Sequence, residues 1–309
     1  MFIKKNKGRY LLIIISVIIL FFLFFLFLQA RSLSSLNNLI EQVSLVFDGR
    51  NKSENKIIFK TEKTLRILEG WTTNQIGEYL EDQGLWLLDQ WLMVAGQTEI
   101  PGQSAISSSS LLMDSFDFLE AKPVAQGLEG YLFPDTYRVH ASSTLEEIVT
   151  VMLNNFDKKL TPQMRSDLKK QGRSIHEIIT MASIIEKEAP ISYQPDADNR
   201  DAYLISGIFW KRLAIGQALQ SDATLSYLLN DDKSSHSGSE LELESPYNTY
   251  KYRGLPPGPI CNPGLLAIRA AIYPLESDYY YFLTPTTEKI VIYGRNYEEH
   301  LRNKYKYLK

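Results

Sequence analysis

The chain holds a single cysteine, Cys261, in 309 residues, so no intramolecular disulfide can form and the thiol says little about compartment. Histidine is also scarce. His140, His176, His236 and His300 are scattered without metal-ligand spacing, and one thiol adds nothing to them, so no metal site is expected. Neither charge dominates: a formal net charge of -3 and a pI near 5.9 exclude a general attraction to nucleic acid. No internal repeat is visible. With 44% hydrophobic and 22% charged residues, the chain can bury a substantial core in one or two domains.

One apolar run does stand out. Leu11 to Leu28 is interrupted only by Ser16, which is long enough to span a bilayer. Lys4, Lys5, Lys7 and Arg9 precede it and Arg31 alone follows closely, so the basic flank marks a cytoplasmic tail (1–9), with an anchor at 10–30 and the remainder outside. A cleaved signal peptide competes, since Ala30 could sit at a cleavage site. The run is longer than a usual signal core, however, and Leu28 is a poor −3 residue. Residues 31–55 read as a polar stalk.

Beyond it, Lys56 to Leu68 carries two β-rich runs about a charged turn, which suggests a hairpin or strand pair. Helices are expected from Thr72 or Thr73 through Leu80, over Leu87 to Val94, Leu145 to Leu160, Met164 to Lys170 and Ala202 to Leu213, and after Ser221 or Asp222. Asn262 and Pro263 suit the cap and first turn of a helix through Ile272. Tyr279 to Leu283 and Lys289 to Tyr293 suit a terminal β-pair, followed by a helix from Tyr297 to Leu308. The fold class is therefore α+β. Pro101 to Ser110 and Asp231 to Glu244 read as exposed loops, the second as a hydrophilic excursion.

Met181 to Pro190, MASIIEKEAP, organises the rest. Ser174 and Glu177 have capping-box spacing, and Pro190 cannot continue the helix they open. At about 100° per residue, Ile178, Met181, Ile184 and Ile185 lie within roughly 80° of Glu188, which therefore points where the apolar side chains point. Glu186 lies nearly opposite, suited to a solvated or structurally paired carboxylate. A carboxyl against apolar surface stays protonated to higher pH and can serve as a general acid, the chemistry of glycosidic cleavage. The alternative is a helix-end glutamate that reaches water or pairs with a base.

Two irregular stretches accompany it. Gly127 to Tyr137, GLEGYLFPDTY, suits either a cleft wall or a packed loop whose aromatics plug the core. Ser245 to Pro263, SPYNTYKYRGLPPGPICNP, is too proline-rich for helix or central strand. It could present tyrosine faces and Asn248 to sugars, or serve as a rigid crossover.

MASIIEKEA, EGYLFPDTY, LQSDAT and YNTYKYRGLPPGPICNPG, in that order behind one N-terminal anchor, resemble the MltG or YceG-like family of endolytic murein transglycosylases, from roughly Leu65 to the C-terminus. The resemblance implies a cofactor-free enzyme at the bacterial plasma membrane that cuts nascent peptidoglycan strands between MurNAc and GlcNAc, leaves 1,6-anhydroMurNAc ends and works beside peptidoglycan synthases of the elongation or division machinery. It places the catalytic acid at Glu188, with Glu186 as the secondary candidate. Its substrate-binding positions fall at Glu129, Tyr131, Pro134, Asp135, Tyr137, Gln220, Asp222, Asn248, Tyr250, Pro256, Pro257 and Asn262. Members commonly carry a LysM-like module before the catalytic domain. The interval from Arg31 to Leu65 is short for one, so 56–98 reads as a reduced version and 99–309 as the catalytic domain. Two other functions fit the same residues: a catalytically silent glycan-binding scaffold and a hydrolytic muramidase.

Overall fold

The computed structural model describes residues 62–96, 115–123, 126–231, 233, 235–285 and 290–308. The expected tail, anchor, stalk, first β-run and serine-rich loop lie outside them. Among the described residues, no helix is long and apolar enough to cross a membrane.

Strand β1 (Glu62–Arg66) leads into helices α1 (Thr73–Asp82) and α2 (Leu88–Ala95). After a 3-10 turn, β2 (Thr136–His140) precedes α3 (Leu145–Lys159), α4 (Pro162–Gln171) and α5 (Ile175–Glu188). Then follow α6 (Arg200–Ala214), α7 (Asp222–Leu229), the single turn α8 (Gly238–Leu241) and α9 (Leu265–Ile272). Strands β3 (Tyr281–Leu283) and β4 (Ile292–Gly294) and helix α10 (Tyr297–Tyr307) complete the described elements, an α+β arrangement with two small antiparallel sheets.

The centre is α5. The Ser174 hydroxyl accepts the Glu177 amide while the Glu177 carboxylate accepts the Ser174 amide, so two helix-start donors are satisfied locally. At the other end Pro190 drives Ala189 into an extended conformation and the helix stops. Between these ends, every residue from Ile178 to Ile185 is buried, with α9, α6 and α7 packed around the helix. The helix is thus covered on all sides, and the expected division into a buried and a solvated face fails over its middle turns. Only the last turn separates Glu186 from Glu188.

Strand β1 pairs with β2, Leu65 opposite Tyr137 and Lys63 opposite Val139, while the first of the two expected β-runs lies outside the described residues. Leu65, Tyr137 and Val139 all turn into the core, a period-two signal hidden behind the Pro134–Asp135 turn. Leu65, Ile76, Leu80 and Trp91 also share one apolar cluster with Leu128, Tyr131 and Ile178. Finally, α9 begins at Leu265 with Gly264 as its cap, because the Asn262 amide is engaged elsewhere.

Candidate active site

Glu188, at the C-terminal end of α5, meets the N-terminal end of α7. Its Oε1 accepts the Ser221 hydroxyl at 2.5 Å, and the Ala223 amide in the first turn of α7 also donates to it. Ser221 occupies the cap position of α7 but makes no side-chain cap bond there, since its hydroxyl is turned to Glu188. The carboxyl is half-buried, and burial pushes its pKa up. The Ser221 bond opposes that rise, the Asp222 charge adds to it, and the Ala223 amide and Arg212 oppose it, with upward as the net direction. Protonated, the group can donate; ionised, it meets a hydroxyl, a helix N-terminus and a cation.

Arg212 is itself buried, donating Nε to Tyr280 O at 2.9 Å and Nη1 to Leu219 O at 2.6 Å. Its guanidinium stands 5.2 Å from the Tyr281 ring centre. The turn before α7 is held by Thr249, whose hydroxyl accepts the Ser221 amide at 3.0 Å and lies 3.0 Å from the Thr224 hydroxyl. Its carbonyl accepts the Gln220 amide at 3.1 Å. Gln220 takes φ of 52°, a left-handed conformation that strains a residue with a Cβ.

Asp222 lies beside the acid in the same cleft. Its Oδ1 accepts the Tyr250 hydroxyl at 3.1 Å and faces His236 Nδ1 at 3.3 Å, while His236 Nε2 faces Asp231 at 3.4 Å. Lys233 ties Asp231 to Glu240 at 3.1 and 2.7 Å. The hydrophilic excursion therefore carries a helical turn and anchors its inner edge in the site. Among the described residues no cluster of three or more His, Cys, Asp and Glu is placed to hold a metal ion.

The cleft encloses about 1450 Å³ and is lined by Glu188, Gln220, Asp222, Tyr247 and Tyr250, by Arg212, and by residues of α1, β3 and α10. Of the twelve expected substrate-binding positions, Gln220, Asp222 and Tyr250 therefore lie together with Glu188.

The other nine go elsewhere, each for a physical reason. Asn262 is buried: its Oδ1 accepts the Gly130 and Leu132 amides at 2.9 and 3.0 Å, and its Nδ2 donates to Trp71 O and Glu129 Oε1, both at 3.0 Å. Glu129 is buried with it and accepts the Thr73 amide at 3.1 Å on each oxygen. Asn248 is buried too, donating to Leu241 O and Leu243 O at 2.9 Å each and accepting the Tyr250 amide at 3.1 Å.

Tyr131 fills the core, its hydroxyl 3.0 Å from His176 Nδ1. The Tyr137 hydroxyl donates to Phe133 O and accepts from Asn155. Pro256 is buried, and Pro257 O accepts from Gln126 and His176, each at 2.8 Å. Pro134 and Asp135 line a separate groove, where Asp135 pairs with Lys159 at 3.2 Å. Gly130, at φ of +87°, explains the tight turn there, since a Cβ would stand 2.5 Å from Pro259. GLEGYLFPDTY is thus the packed-loop alternative, while Ser245–Pro263 supplies both cleft tyrosines and a crossover.

Glu186 is structurally paired: Oε2 accepts the Tyr193 hydroxyl at 2.6 Å and the Gly264 amide at 3.0 Å, and burial pushes its pKa up. Ser221, Thr249, Arg212 and His236 were not singled out as site residues from sequence. LQSDAT contains Ser221 and could have flagged it; His236 carried no signal in the hydrophilic run.

A family model described as the YceG-like family matches residues 38–306. The chain is 34% identical over 249 residues to a protein of Streptococcus pneumoniae serotype 2 (strain D39 / NCTC 7466) named endolytic murein transglycosylase, covering 78% of this chain and 44% of that one. To a Bacillus subtilis (strain 168) protein of the same name it is 37% identical over 188 residues, covering 60% and 50% respectively. The chain therefore spans about half the length of these curated relatives. A YceG-like protein of Listeria monocytogenes, with a crystal structure at 2.6 Å, superposes with a TM-score of 0.65 at 35% identity, covering 77% of this chain and 75% of that one.

Proposed function

The chain belongs to the YceG-like family, and from that premise we propose that it is an endolytic peptidoglycan lytic transglycosylase with Glu188 as its acid. The observation that carries the reading is the setting of that carboxyl on the wall of a long cleft, its pKa raised by burial and by Asp222, with Ser221, Ala223 and Arg212 ready to receive the anion. Two relatives named endolytic murein transglycosylase support the substrate class.

In this reaction protonated Glu188 gives its proton to the oxygen linking MurNAc to GlcNAc, and the bond from C1 to that oxygen breaks through an oxocarbenium-like state. The resulting carboxylate takes the proton of the MurNAc 6-hydroxyl as O6 bonds to C1. The products are a 1,6-anhydroMurNAc end and a new GlcNAc hydroxyl, with no water consumed. Negative charge on Glu188 exists only between the two transfers, and the Ser221 hydroxyl and the α7 N-terminus lower its cost during that interval. The apolar run at 11–28 would hold the enzyme on the plasma membrane with its cleft outside, beside the synthases that extrude the strand.

A second reading has its own observation. Asp222, fixed by Tyr250 and His236 beside Glu188, could orient a water at C1, which would yield a reducing end and make the protein a muramidase. Mass spectrometry of products from uncrosslinked strands decides between them: anhydro ends support the lytic reaction and reducing ends the hydrolytic one. Glu188→Gln is expected to abolish cleavage with the fold intact. Glu186→Gln, which keeps an acceptor for Tyr193 or Gly264, is expected to retain most of the activity. Equal loss from both would remove Glu188 from its role.

A further inference from the structure

Helix α10 buries no residue, and it exposes an apolar stripe. Tyr297, Leu301, Tyr305 and Leu308 are 59, 46, 82 and 46% exposed, and at about 100° per residue they fall within an arc of roughly 80°. An apolar face of this kind left to solvent along a whole helix needs an occupant. The cleft answers part of the question, because Tyr297, Leu301 and Leu308 line the same cleft as Glu188, with Lys304 among them.

The wall between the acid and this helix is continuous. Arg212, whose charge acts on Glu188, stands over Tyr281 at 5.2 Å. The Tyr281 ring stacks with His300 at 5.1 Å and meets Tyr297 at 6.0 Å. From Tyr297 to Leu308 the stripe runs about 16 Å along the helix at ~1.5 Å per residue. A cleft of about 1450 Å³ exceeds the roughly 300–1,000 Å³ that holds a single small ligand. It is suited to a polymer.

Resting on the reading above, we propose that Tyr281 and the Tyr297–Leu308 face of α10 form a remote binding shelf for the glycan strand, several sugars from the scissile bond. Tyrosine rings present flat faces to the C–H faces of pyranose rings, and leucines take the methyl groups of N-acetyl and lactyl substituents. Lys304, within the stripe, meets the carboxylates that peptide-bearing MurNAc carries. The shelf makes the enzyme prefer long strands, because only these reach it while spanning Glu188. A lipid surface fits less well, because Tyr297, Leu301 and Leu308 line the Glu188 cleft, whereas an interfacial helix lays its apolar face flat in the headgroup plane.

The test uses the full chain with Glu188→Gln, which removes turnover, reconstituted in phosphatidylglycerol vesicles. Binding is measured for uncrosslinked strands sorted into short and long fractions. Long strands should bind at least about tenfold tighter than short ones, and adding Tyr297→Ser with Leu301→Ser should erase that advantage, one lost aromatic anchor being worth about a factor of ten. Tyr305→Ser, at the most exposed position, should reduce it without threatening the fold. Hydrogen exchange over 297–308 should slow when long strands are added. Binding of both fractions without a length advantage, or an advantage that survives the substitutions, overturns the shelf and leaves the parent reading standing. Protection of 297–308 by the vesicles alone would assign the face to lipid and also overturn it. Binding to neither fraction refutes the parent reading and the shelf together.

Discussion

Replacing Asn262 with alanine distinguishes a substrate contact from a structural knot. Its amide satisfies four groups: the Gly130 and Leu132 amides at 2.9 and 3.0 Å, Trp71 O at 3.0 Å and Glu129 Oε1 at 3.0 Å. After the change Trp71 O keeps a partner, the Asn262 backbone amide at 2.8 Å, and Glu129 keeps the Thr73 amide. The two amides of the Gly130 turn lose the acceptor they share in a buried site. At about 1–3 kcal/mol for each buried donor left unpaired, plus the weakened Glu129 carboxylate, the expected loss is about 4 kcal/mol. Asn262→Asp should do no better, since it places a second acid against buried Glu129.

The assay is equilibrium urea unfolding of the full chain. The midpoint should fall with little change in slope, and the thermal midpoint should fall by about 10 °C for a domain of this size. Glycan affinity of the fraction that remains folded should be retained. A variant that keeps its stability within about 1 kcal/mol but no longer binds strands would refute the reasoning and return Asn262 to the cleft.

Ser221→Ala and Asp222→Asn should move the pH–rate profile in opposite directions. In the proposed reaction Glu188 works only when protonated, so activity is expected to fall as pH rises through its pKa. Losing the Ser221 bond raises that pKa and carries the alkaline limb upward, whereas losing the Asp222 charge carries it downward. Shifts of the same sign would refute the assignment. Gln220→Gly should stabilise the fold by about 1 kcal/mol through relief of the left-handed φ of 52°, with weaker strand binding from the lost side chain; unchanged or lower stability on urea unfolding would count against strain there. His236→Ala removes the link between Asp222 and Asp231, so amide exchange should quicken across the described residues 235–244 while the α5 core keeps its protection. Uniform quickening would mean a global defect instead.

Local chemistry is what the sequence could carry. Ser174 with Glu177 and Pro190 set the limits of α5, because capping and chain-breaking depend on residues within a turn of each other. The same locality made Glu188 legible as a carboxyl at the end of an apolar helix, and four ordered motifs pointed to the YceG-like family that the match over 38–306 then established. Burial was not legible. Glu129, Tyr131, Asn248 and Asn262 are residue types that could line a sugar cleft, and nothing in their spacing says that their polar atoms are consumed by the Thr73 amide, the His176 ring, the Leu241 and Leu243 carbonyls and the Gly130 and Leu132 amides. Nor could spacing pair β1 with β2, or bring Ser221 to Glu188 across 33 positions. The sequence determined the limits of α5 and which carboxyl to watch. Tertiary structure alone decided which polar groups face the cleft and which hold its walls, because hydrogen bonds between distant segments depend on how the segments pack.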